Sequence, residues 1–113
     1  MKYAIITTDD FERDFRVLSK KYRSLPDDLA AFVKALKENP EMGDDLGNNA
    51  RKVRMAIASK NKGKRSGTRI ITYRLFVDVK NAKIYLLTIY DKSEQDTISS
   101  QEIVKLIQKN RIN

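Results

Sequence analysis

The apolar positions change period several times along the chain, and each change marks an element. Residues 3–8 form a short β-like run. Phe11, Phe15, Leu18 and Tyr22 then recur at spacings of four, three and four, which is one face of a 3.6-residue helix. Asp9, with Glu12 three positions later, is the expected N-cap of that helix. The segment Ser24-Leu25-Pro26-Asp27 breaks and restarts the chain, since proline is tolerated in a first helical turn. Leu29, Phe32, Val33 and Leu36 give a second helix its stripe, and so short a connection makes an αα-hairpin. Asn39-Pro40 ends the hairpin, and residues 42–49, with Gly43 and Gly47, are expected to be loop.

From residue 51 the period becomes two. Val53, Met55 and Ile57 are core-like, so Lys52, Arg54, Ala56 and Ala58 fall on the opposite sheet face. Residues 59–67 are a Lys/Gly/Ser loop, 69–77 a third strand and 83–90 a fourth. The run Ile84-Tyr85-Leu86-Leu87-Thr88-Ile89-Tyr90 is apolar or aromatic on both faces, which predicts a central strand. Ser99 with Glu102 forms a capping box before a last helix striped by Ile103, Leu106 and Ile107. The order β-α-α-β-β-β-α predicts an α+β domain. Its antiparallel-rich sheet would carry the N-terminal helical hairpin and the C-terminal helix packed on one face. The 113 residues suit one domain, 1–113, with one modest core.

Composition narrows the chemistry. With no Cys and no His, thiolate ligands, zinc sites and His-based catalysis are excluded. Any catalysis must use Lys, Arg, Tyr, Ser/Thr or carboxylates. No apolar run approaches the roughly 20 residues of a membrane span, and a cytoplasmic, membrane-free protein is expected.

Charge is localised. The net charge is +8, yet between Leu46 and Val77 nine Lys or Arg residues occur without one Asp or Glu. The rest of the chain holds fourteen basic residues against fifteen acidic ones, so it is nearly neutral. An unneutralised cationic surface releases counterions from phosphates and steers nucleic acid. Lys52 and Arg54 share one sheet face. The loop adds Lys60, Lys62, Lys64 and Arg65, and the next strand opens with Arg69. Gly63, Ser66, Gly67 and Thr68 would let a phosphate approach the backbone closely. Tyr73, Tyr85 and Tyr90 could stack bases, although strand spacing favours core positions for them. RNA cleavage without a metal needs a deprotonated 2′-hydroxyl, a stabilised phosphorane and a protonated leaving oxygen. Arginine suits the phosphate clamp, and a lysine crowded by cations suits proton transfer.

Three segments in order carry a resemblance: Arg51-Lys52-Val53-Arg54, then the run from Gly63 through Arg69 to Tyr73, then the run from Tyr85 to Gln95, YLLTIYDKSEQ. Together with the hairpin ending in Asn-Pro-(x)2-Gly, they resemble the RelE/ParE toxin superfamily, nearest its HigB-like branch of type II toxin–antitoxin toxins. That resemblance implies a RelE-like fold and a metal-independent, ribosome-dependent mRNA endoribonuclease. It would cut mRNA in the decoding site, contact ribosomal RNA and need no cofactor. A cognate antitoxin of helix-turn-helix type would neutralise it.

The resemblance also implies roles. Lys52 would transfer protons, Arg69 would clamp the phosphate, and Arg54 and Lys92 would give electrostatic support. Arg51, Lys60, Lys62, Lys64, Arg65, Arg74 and Tyr90 would bind RNA. Two features depart from the family pattern. RelE has a tyrosine after the final strand, whereas Asp96-Thr97-Ile98-Ser99 has none, and the histidine frequent in HigB toxins is missing. Tyr90 or Glu94 are the candidate substitutes. The alternatives are a ParE-like toxin of DNA gyrase and a nucleic-acid-binding module without chemistry. The clustered cations count against the gyrase toxin.

Overall fold

The computed structural model describes residues 1–60, 67–95 and 97–112. Among the described residues, five strands form one sheet in the order β1-β5-β4-β3-β2, with β1 Lys2–Thr7, β2 Asp44–Gly47, β3 Ala50–Met55, β4 Thr68–Phe76 and β5 Asn81–Asp91. Only β1 and β5 run parallel; every other neighbouring pair is antiparallel. Helices α1 (Asp9–Lys21) and α2 (Leu25–Glu38) follow β1, and α3 (Ser100–Lys109) follows β5. No helix among the described residues is long and apolar enough to cross a membrane.

The α+β class and the central place of β5 agree with the pattern of the sequence. Several details differ. Thr8, not Asp9, caps α1: its Oγ1 accepts from the Phe11 N–H at 3.1 Å and donates to the Leu86 carbonyl at 3.0 Å. One hydroxyl thus starts the helix and stitches it to β5. Part of the expected loop 42–49 is a strand. β2 turns into β3 through Asn48 and Asn49, both with positive φ (53° and 66°), between the paired residues Gly47 and Ala50. A two-residue turn of that handedness matches the twist of a hairpin, and Asn tolerates it better than other side-chain-bearing residues.

The sheet separates two apolar clusters. Phe11, Leu18, Leu25, Phe32 and Leu36 of the helical hairpin pack against Val53, Met55, Ile70, Ile84, Leu86 and Ile89. The stripe of α3 joins a second cluster with Ala50, Ile71, Leu87 and Tyr90. The three helices therefore do not share one apolar surface. β5 serves both clusters because its side chains alternate between the two faces, and an extra residue, Leu87, between the partners of Ile71 and Thr72 shifts that alternation towards the end of the strand. Ser99 caps α3 by accepting from the Glu102 N–H, as the capping box predicts. The far end of α3 is tied to α1, where the buried Asp10 accepts from Lys109 and Asn110.

Candidate nucleic-acid interface

Strand alternation decides which cations meet. On β3, Val53 and Met55 enter the hairpin core, so Lys52 and Arg54 project to the other face, as their parity predicts. There Arg54 lies directly across from Arg69 of β4, Lys52 across from Ile71, and Arg69 in turn across from Tyr90 of β5. Facing like charges on neighbouring strands destabilise a sheet unless other groups offset them. Among the described residues, neither Lys52 nor Arg54 makes an ion pair. Arg54 is exposed, but Arg69 is only 3% exposed, with Nη1 donating to the Thr68 carbonyl at 3.2 Å. Lys92 is exposed, and its N–H donates to the Gly67 carbonyl at 3.2 Å, which holds the end of β5 against the start of β4. Gly67 itself is required there, because a Cβ would collide with the Met55 carbonyl oxygen.

Below these residues lies a buried carboxylate. Asp91 has a side chain of 0% exposure and accepts from Tyr22 Oη at 2.5 Å and from Lys60 Nζ at 2.9 Å. Ser93 adds its N–H and hydroxyl at 3.0 and 2.8 Å. Burial pushes the Asp91 carboxyl up, but the hydrogen bonds from Tyr22, Lys60 and Ser93 outweigh it and hold the group well below the carboxylate range. Burial likewise lowers Lys60, but Asp91 and the Tyr22 hydroxyl outweigh it and raise the lysine. The Lys60 ammonium also stands 5.1 Å from the centre of the Tyr22 ring. Lys60 is thus committed to joining β5, α1 and the start of the basic loop.

The other expected RNA-binding residues are dispersed. Lys62, Lys64 and Arg65 lie outside the described residues. Arg51 shares the parity of Val53 and faces Thr72, and Arg74 belongs with Thr72, so both sit on the hairpin face, away from Lys52 and Arg54. Arg51 pairs with Asp45 and Arg74 with Glu41. Tyr73 and Tyr85 face each other and are half-buried against the second cluster, and Tyr90 is 7% exposed, so the tyrosines fill core positions. Glu94 bonds Lys21 at 2.8 Å, on the α1 side. Among the described residues no group of three acidic side chains comes together to hold a metal ion.

Asp91 and Tyr22 were not legible as site residues. They stand 69 positions apart, and no local spacing brings a helix-end tyrosine to a strand-end carboxylate.

This arrangement defines a class by its fold: a mixed five-stranded sheet with a helical hairpin between its first and second strands and a helix after its last. The same RelE-like fold is found in a double arginine-to-alanine variant of the Escherichia coli toxin RelE in the free state. The likeness has a TM-score of 0.59 at 16% identity and covers all of both chains. No family model matches the sequence.

Proposed function

We infer that the protein is a toxin of the RelE kind, a ribosome-dependent endoribonuclease that cuts mRNA in the decoding site and stops translation. The observation that carries this reading is the Arg54–Arg69 pair, facing across β3 and β4 with Lys52 on the same face and no carboxylate paired to Lys52 or Arg54 among the described residues. The RelE-like fold over the full chain supports it.

In this reading Arg54 and Lys92, both exposed, meet the scissile phosphate first. Arg69 acts from just beneath the surface, where a charge screened from water is felt more strongly at short range. Lys52 transfers the proton of the attacking 2′-hydroxyl. Of the two candidate substitutes for the tyrosine missing after the last strand, this reading favours Tyr90 over Glu94. Tyr90 is largely packed in the second cluster but lies across from Arg69, whereas Glu94 is bonded to Lys21 on the α1 side. The chemistry is metal-independent, since the guanidinium and ammonium groups neutralise the phosphorane. The ribosome holds the message in line for attack, which offsets a sparse set of proton-transfer groups. A cognate antitoxin, of helix-turn-helix type as the resemblance implies, would neutralise this face, and the protein would act in the cytoplasm.

The test is in vitro translation with mapping of mRNA 5′ ends, with and without ribosomes. New ends within codons that appear only with ribosomes are expected. Arrested translation over intact message, or no effect at all, would overturn the reading, and a gyrase supercoiling assay would then test the gyrase-directed alternative.

A further inference from the structure

On the hairpin face, Arg51 and Arg74 flank a cleft of about 190 Å³, lined also by Pro40, Asp45, Thr72, Ile84 and the turn at 47–49. Both guanidiniums are held by groups other than their acidic partners. Arg51 donates through Nε and Nη2 to the Met42 and Gly43 carbonyls at 3.3 and 2.9 Å. The Arg74 guanidinium lies 4.7 Å from the centre of the Phe76 ring. Their side chains are 23% and 20% exposed, whereas Asp45 and Glu41 are each 68% exposed and stand 3.8 and 3.4 Å away. Charge-assisted bonds are usually shorter, near 2.7–2.9 Å, and exposed pairs at these lengths contribute little. The two carboxylates are therefore replaceable counterions on two preset arginine forks. The forks come from adjacent strands and converge on one cleft. A phosphodiester suits this, offering one unbridged oxygen to each fork, whereas a carboxylate presents both oxygens in one plane to a single fork.

Building on the RNA-directed reading above, we propose that the Arg51–Arg74 cleft takes a backbone phosphate of folded RNA. The protein would then grip RNA on the sheet face opposite the one that carries Lys52 and Arg54. Cutting and anchoring would then fall on opposite faces of the sheet.

The test measures binding of the full-length protein to purified small ribosomal subunits across a salt series. Arg51→Gln with Arg74→Gln should weaken binding about tenfold and reduce the slope of log K against log salt by about one. Glu41→Gln with Asp45→Asn should tighten binding, because it frees both forks while the new amide oxygen can still accept from the Gly47 N–H. A variant that merely misfolds cannot produce that gain. Unchanged affinity and slope in both double variants would overturn the proposal. So would arginine-dependent binding of a polyglutamate peptide with no arginine-dependent binding of the subunits. Mapping mRNA ends on the same samples separates the two claims. Cleavage with an unaltered salt slope removes the cleft and keeps the nuclease; an altered slope without cleavage does the reverse.

Discussion

Asp91 gathers several polar groups at the end of β5. Tyr22, Lys60 and Ser93 all donate to it, and Lys21 stands 3.9 Å away. A buried ion pair is weak evidence of net stability, but removing one partner leaves the other charge buried and alone. Asp91→Asn should therefore lower unfolding free energy by about 3 kcal/mol, read from urea denaturation. The pH dependence follows from the same contacts. The folded-state Asp91 lies below its ordinary value of 3.8, so its stabilisation is complete above about pH 4 and is lost as pH falls. Lys60 is raised from its ordinary 10.5, so its share is complete below that pH and is lost as pH rises past it. The urea midpoint of the wild type should be flat between these limits and fall on both sides. The acid fall should be shallower in Asp91→Asn.

At the scale of elements, the β2–β3 hairpin offers the most direct check. Asn49 sits at φ 66°, which glycine adopts without steric cost. Asn49→Gly should stabilise the protein by several tenths of a kcal/mol, seen as a higher thermal midpoint, because type I′ turns favour Gly at the second position. The Arg74 N–H bond to the residue 49 carbonyl survives that change.

The hairpin also shows where the sequence stopped being readable. β5 announces itself because a run that is apolar or aromatic on both faces has only one use in a small domain. β2 does not, since Asp44-Asp45-Leu46-Gly47 is short and has no apolar alternation. Thr8 and Asp9 are both capping residues side by side, and only the position of Leu86 decides between them. Lys52 and Arg54 were legible because parity places them against Val53 and Met55. Parity also sets Arg51 apart from them, but Arg74 needs the register of β4. The fate of Lys60 depends on Asp91 and Tyr22, which meet it only through the fold.

At the scale of the whole molecule, the sheet sets Arg51 and Arg74 on one face and Lys52 and Arg54 on the other. Arg51, Arg74, Lys21 and Lys60 each hold a carboxylate, whereas Lys52 and Arg54 hold none among the described residues. Lys52 and Arg54 share that face with Arg69 and Tyr90. Arg69 is nearly buried, so replacing it would confound folding with chemistry. Arg54 is exposed and tests the site with less structural cost. The most direct measurement is mapping of mRNA 5′ ends in a translating extract with wild type and Arg54→Ala, each checked by thermal melting. The account predicts ribosome-dependent ends with wild type, reduced at least about tenfold in a variant that melts normally, as expected for loss of one transition-state charge contact. Undiminished cleavage by a folded Arg54→Ala would contradict it, and the cationic face would then not be the site of the reaction.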